Sequence, residues 1–124
     1  MPSAAVRRLD ERTFQFACEI VRLCRHLSAT PGAHRQLATQ VLRSATSVGA
    51  NVEEAKAAFT RREFACKYSL VLREARETLY RLRLIAATDL APSPLVAPLI
   101  AEANELVAIF TVAARRAARQ PPER

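Results

Sequence analysis

The sequence has no tryptophan, one methionine and two glycines, and its only aromatic residues are two tyrosines and five phenylalanines. With Gly32 and Gly49 as the only glycines, no glycine-rich phosphate loop can be written. Histidine occurs twice, and His26 and His34 flank a Pro-Gly pair with no cysteine or carboxylate at ligand spacing. The paired carboxylates Glu53 and Glu54 lack the Glu-x-x-His partner of di-iron bundles. Hydrolase, kinase and metalloenzyme chemistry therefore has no motif to stand on. The expectation is a non-enzymatic protein with no cofactor and no metal.

Cysteine is scarce as well. Cys18, Cys24 and Cys66 are odd in number, form no C-x-x-C pair and sit in apolar helical text, so they read as small structural hydrophobes in a reducing compartment. The opening MPSAAVRRLDERTFQF lacks an apolar h-region, which argues against a signal peptide. No later apolar run is expected to approach the roughly 18 residues of a membrane span. A cytoplasmic protein with no membrane partner is the expectation.

What remains is abundant in alanine, leucine, arginine and valine, a composition that favours helix over sheet. The 124 residues suit one domain over 1–124, with a formal net charge of +7. The pI of about 10.3 favours anionic partners.

Hydrophobic spacing predicts four helices, over about 9–27, 33–59, 61–88 and 94–119. In the first, Ala17, Ile20, Cys24 and Leu27 set the buried stripe, widened by Phe14 and Val21, with Arg12, Glu19, Arg22 and Arg25 outside it. Ser28 to Gly32 breaks the chain. In the second helix Leu37, Val41, Ala45, Val48, Val52, Ala55 and Phe59 make a heptad-like seam, and Gly49 within it reads as a close helix contact.

Thr60 and Glu63 spell a capping box that starts the third helix. Its stripe is Phe64, Tyr68, Val71, Leu72, Ala75, Leu79 and Leu82. Asp89 to Pro92 ends it, and Ser93-Pro94 reads as an N-cap with proline at the first helical position. The fourth stripe is Leu95, Leu99, Ala103, Leu106, Phe110 and Ala113, and Pro98 is tolerated near the helix start. Gln120 to Arg124 should fray. The fold class expected is all-α.

Two polar lanes flank the seams. Gln40, Arg43, Ser47, Asn51 and Glu54 line one edge of the second helix, and Glu63, Lys67, Glu74, Thr78 and Arg81, with Glu77 nearby, line one edge of the third. In an antiparallel hairpin turning near residue 60, level positions have numbers adding to about 120 or 121. Glu54 then meets Lys67, Ser47 meets Glu74 and Arg43 meets Glu77. One reading is an ion and hydrogen-bond network that fixes register. The other makes Asn51, Glu54, Lys67 and Glu74 a functional site.

On the opposite side of the third helix lie Arg62, Ser69, Arg73, Arg76, Tyr80 and Arg83, again at helical spacing. Guanidinium groups suit phosphate and a tyrosine can stack on a base, so this lane, extended by Arg115, Arg116 and Arg119, is a candidate surface for RNA or DNA. The alternative is a solvated face in which Arg73 and Glu77, and Glu77 and Arg81, form ordinary i,i+4 pairs.

The runs Gln40-Val-Leu-Arg-Ser44, Ser47-Val-Gly-Ala-Asn51-Val-Glu53-Glu54-Ala, Glu63-Phe64 and Leu72-Arg-Glu-Ala-Arg-Glu-Thr-Leu-Tyr80 give the chain a familiar text. From about Phe14 to Ala114 it resembles the four-helix-bundle proteins related to the 23S ribosomal RNA intervening-sequence protein. The resemblance implies an up-down antiparallel four-helix bundle that assembles as a homo-oligomeric ring, typically a homopentamer. It also relates the chain to the accessory variability determinant of diversity-generating retroelements, which implies RNA or DNA and a reverse transcriptase as partners. The family often has tryptophan after the tyrosine of the third helix. Here that position is Arg81, which makes the lane more basic.

Overall fold

A computed structural model describes residues 4–119, with side chains described over 8–119. The frayed tail expected over 120–124 lies outside the described residues. Four helices follow one another: α1 (Ala4–Ser28), α2 (Ala33–Lys56), α3 (Arg61–Ala87) and α4 (Ser93–Arg119). Short turns make consecutive helices antiparallel neighbours, as expected for an up-down bundle. α1 packs on α2, α2 on α3 and α3 on α4, whereas α1 and α4 meet sparsely. A groove of about 600 Å³ runs between those two, floored by Phe16 and Leu99.

Local chemistry sets the turns. Gly32 enters α2 with φ 89°, in the left-handed region that a side chain would strain, so the Pro-Gly break is a backbone requirement. The Thr60 hydroxyl caps α3 by accepting from the Glu63 N–H at 3.1 Å. The Glu63 carboxylate reaches one residue further back than in the usual box and accepts the Phe59 N–H at 2.7 Å. α3 ends in a Schellman motif: Asp89 adopts φ 56°, its N–H donates to the Ala86 carbonyl, and the Leu90 N–H donates to the Ile85 carbonyl.

Several sequence expectations change here. α1 begins at Ala4 rather than near Leu9. Its buried stripe is Phe16, Ile20, Leu23, Cys24 and Leu27, while Phe14 and Val21 point to solvent. The stripe is rotated because Phe16, Ile20, Leu23 and Leu27 step by four, three and four, a stronger apolar line than the one through Ala17. α2 stops at Lys56, so its seam is buried through Ala55 and Phe59 is 92% exposed. Val96 and Ile85 join the core beside the expected residues. α4 starts one residue early, since the Pro92 carbonyl accepts from the Val96 N–H and Ser93 is already helical.

α4 also corrects the expectation about apolar runs: by length and composition it is apolar enough to cross a membrane. In the bundle Val96, Leu99, Ala103, Leu106 and Phe110 are buried against the other helices. Its two acids face α1. The Arg12 guanidinium grips Glu102 through Nε at 3.0 Å and Nη2 at 2.7 Å, and Nη2 also reaches Glu105 at 3.2 Å. These bonds to Glu102 come first among the causes that raise the Arg12 pKa above its ordinary value. The bidentate contact links α1 to α4 where apolar packing is thin.

Gly49 meets α1 as its position suggested. A Cβ built there would lie 3.5 Å from the Thr13 carbonyl oxygen, ordinary contact distance, so the two backbones approach closely without excluding alanine. Thr13 itself is buried and returns its hydroxyl to the Leu9 carbonyl at 2.8 Å. Cys24 is buried and its thiol bonds the Ala38 carbonyl at 3.3 Å, with burial pushing its pKa up to about 11. That is the chemistry of a structural thiol.

Candidate nucleic-acid interface

α3 carries charge on two sides, and the two sides behave differently. Toward α2, the expected register holds. Lys67 Nζ lies 2.7 Å from Glu54 Oε1, and the Arg43 guanidinium bonds the Glu77 carboxylate. Arg43 also reaches Glu74 at 3.4 Å. Arg81 donates to Gln40 at 3.2 Å and lies 2.5 Å from Glu77. The hydrogen bond to Glu54 raises the pKa of Lys67. Burial tends to raise that of Glu77, but its hydrogen bond to Arg81 and the charges of Arg81 and Arg43 outweigh this and hold it below the usual carboxylate value.

One expected pairing fails. Ser47 does not meet Glu74: the Glu74 carboxylate takes Arg43, and the Ser47 carbonyl accepts from Asn51 Nδ2 at 2.9 Å. The short serine side chain cannot span a distance that arginine can. Asn51 thus bonds its own helix, and Asn51, Glu54, Lys67 and Glu74 are not gathered into one site. A deeper contact was missed. Thr78, read as a lane residue, is fully buried, and its hydroxyl lies 2.8 Å from that of Ser44, which is buried too. Thr78 also bonds the Glu74 carbonyl at 2.8 Å. This hydroxyl pair ties α2 to α3 inside the core.

Lys56 makes the corresponding tie to α1, reaching Asp10 at 2.5 Å and Glu53 at 3.1 Å. Neither this bridge nor Arg12 with Glu102 was foreseen, because matching α1 to its neighbours requires knowing its rotation. The run Phe16, Ile20, Leu23 and Leu27 is a signal in the sequence consistent with that rotation, but Phe14, Ala17 and Val21 offer a competing face.

The other side of α3 carries its arginines toward solvent. Arg62, Arg73, Arg76 and Arg83 are exposed, and among the described residues they have no ion-pair partner. Tyr80 stands among them at 60% exposure. Arg73 does not form the expected i,i+4 pair with Glu77, since that carboxylate is turned toward Arg43 and Arg81. Arg81 in turn belongs to the paired side, with a side chain only 19% exposed, and adds nothing to the open lane. A shallow depression lies between Ser69, Leu72, Arg73 and Arg76.

The predicted residues fall into two groups. Arg73, Arg76, Tyr80 and Arg83 share one flank of α3. Arg62 lies about 30 Å along the helix from Arg83 at 1.5 Å per residue. It is nearer the arginines of α4. The ring of Phe110 packs edge-on against Tyr68 with centroids 5.4 Å apart, which fixes the α3–α4 register. Counting on from that pair, Arg115 and Arg116 lie about level with Glu63 and Arg62, and Arg119 with Phe59. These three α4 arginines are exposed and, among the described residues, also without an ion-pair partner.

The model of the family described as 23S rRNA-intervening sequence protein matches residues 8–111, which covers the four-helix core. The chain belongs to that family. A solved structure is similar over 86% of this chain and 98% of its own, with 28% sequence identity and a TM-score of 0.78. It is a protein of unknown function from the S23 ribosomal protein family of Bacteroides thetaiotaomicron VPI-5482. No curated protein matches the chain significantly. Family membership and fold thus agree with the resemblance read from the Ser47 to Ala55 and Leu72 to Tyr80 text.

Proposed function

We propose that this family member is a non-enzymatic, homo-oligomeric protein that binds RNA or DNA through the open arginine lane of α3 and the arginines at the end of α4. The observation that carries the reading is the contrast in pairing. Arg43, Arg81 and Lys67 toward α2 are each engaged by an acid, whereas Arg62, Arg73, Arg76 and Arg83 face solvent without one among the described residues. Unpaired guanidinium groups spaced along a rigid helix match the repeated phosphates of a nucleic acid, and Tyr80 offers a stacking face. The family description names a 23S rRNA intervening sequence, so RNA is the nucleic acid to test first.

In this reading the protein works in the cytoplasm as an accessory to a nucleic-acid-processing partner such as a reverse transcriptase. Free thiols at Cys18, Cys24 and Cys66 suit that compartment. Assembly into a ring, a pentamer by the family resemblance, is supported by Phe14, 64% exposed, and Val21 on the outer face of α1. Light scattering of the purified chain should return a multiple of the 13.7 kDa protomer, and a monomer would refute assembly. Retention of RNA or DNA at low salt, lost steeply as salt is raised, tests the binding. Absence of retention at low salt would leave a structural or protein-interaction ring as the surviving reading.

A further inference from the structure

We infer that the end of the bundle where α2 turns into α3 is a stacking site for an unpaired base of a single-stranded nucleic acid. Phe59 is the platform, and Arg62, Arg115, Arg116 and Arg119 are the phosphate contacts. The inference rests on the nucleic-acid reading above and adds a place and a strandedness to it.

Phe59 continues the spacing of the α2 seam, yet it is 92% exposed, the most exposed of the large hydrophobic side chains among the described residues. The cause lies in the turn. α2 closes when the Ala57 and Ala58 N–H groups donate to the Glu54 and Ala55 carbonyls, which turns the chain away from the seam before residue 59. The next bonds hold that position: the Phe59 N–H donates to the Glu63 carboxylate at 2.7 Å, and the Thr60 hydroxyl accepts from the Glu63 N–H at 3.1 Å. The Phe64 N–H then returns to the Thr60 carbonyl. A ring on a backbone fixed from both sides loses little freedom when a ligand settles on it.

Charge around the ring points to the class of ligand. Arg62 follows three residues later, and the α3–α4 register places Arg115, Arg116 and Arg119 at the same end. All four are exposed, with no ion-pair partner among the described residues. The nearby acids are already engaged: Glu63 holds the turn, and Asp10 and Glu53 hold Lys56. An aromatic face at the same end of a fold as several exposed guanidiniums is how sequence-tolerant single-strand binders hold a base and its flanking phosphates. A lipid surface fits less well. Membrane attachment scales with the apolar area inserted, and here one ring stands among Lys56, Ala57, Thr60 and Arg62. Inside a duplex the bases are stacked on one another and only a terminal pair offers a face, so the ring gains most from an unpaired base.

The absence of tryptophan gives the test its reporter. The full chain and its Phe59→Ala, Phe59→Leu and Phe59→Trp variants are titrated with a short uridine oligomer, with an RNA duplex and with vesicles of phosphatidylserine and phosphatidylcholine. Because the side chain lies outside the core, all variants should melt like the native chain. Phe59→Ala and Phe59→Leu should weaken oligomer binding by roughly 5- to 150-fold and leave duplex binding nearly unchanged. Phe59→Trp should keep the native affinity, and its emission should be quenched by the oligomer. Native affinity in the alanine and leucine variants, an equal loss on duplex, or tryptophan emission that responds to vesicles and not to the oligomer would each overturn the inference. If the native chain binds the oligomer regardless of Phe59 but not after charge reversal on the α3 lane, this site fails and the lane reading stands. If the native chain binds no nucleic acid at all, both fall.

Discussion

Both flanks of α3 carry basic side chains, yet on the α2 side they are consumed by acids and on the other they have no ion-pair partner among the described residues. Lys67, Glu74, Glu77 and Arg81 face a helix that supplies Glu54, Arg43 and Gln40 at matching heights. Arg73, Arg76 and Arg83 face solvent, and the two acids closest to them in sequence, Glu74 and Glu77, are turned toward Arg43 and Arg81. A charge run is therefore not informative by composition. What separates a register device from an open basic lane is which partner the neighbouring helix brings within reach.

Replacing Arg73, Arg76 and Arg83 together with glutamate should produce the largest effect on this contrast. RNA affinity at low salt should fall on the order of 100-fold, with a shallower salt dependence, while thermal melting stays near native. Unchanged binding would mean that the free flank is only a solvated face. On the paired flank the sensitive point is the buried hydroxyl pair rather than the surface ions. Thr78→Val keeps the shape and removes the 2.8 Å contact with Ser44, so chemical denaturation should show a loss of about 1–2 kcal/mol with RNA binding retained. A loss within a few tenths of a kcal/mol would show that the pair does not contribute to stability.

Acid titration gives the smallest and most specific effect. Glu77 has a folded pKa below its ordinary 4.5, so the unfolded chain binds its proton more readily than the folded one. Its contribution is full above that value and is lost as pH falls through the lower, folded pKa. The side chain is about one-third exposed, so the whole contribution should be under about 1 kcal/mol. Glu77→Gln should flatten the stability profile below pH 4.5 and change little at neutral pH. A profile as steep as the native one in that range would assign the acid sensitivity elsewhere.

Much of this was legible in the chain. The α2 and α3 seams are regular enough that their turn at Thr60 and the pairs Glu54 with Lys67 and Arg43 with Glu77 follow from counting residues. Serine at position 47 lacked the reach to satisfy the same arithmetic. α1 was harder, because Phe14, Phe16, Ala17, Ile20, Val21 and Leu23 allow more than one apolar face. Packing against α2 and α4 buries Phe16 and Leu23 and leaves Phe14 and Val21 outside. The same ambiguity hid Lys56 with Asp10 and Arg12 with Glu102.

By itself, the sequence determined the helices, most of their stops and the antiparallel register of the α2–α3 pair, because those depend on local periodicity, capping residues and constant rise. It also marked the arginines of α3 as a lane. Only the tertiary structure decided which charges were spent on neighbouring helices. It also decided that Thr78 and Ser44 meet in the core, and that Phe59 leaves its seam to stand in solvent. Those outcomes depend on how each helix is rotated and where its last turn closes, which contacts between helices settle and spacing along one helix cannot.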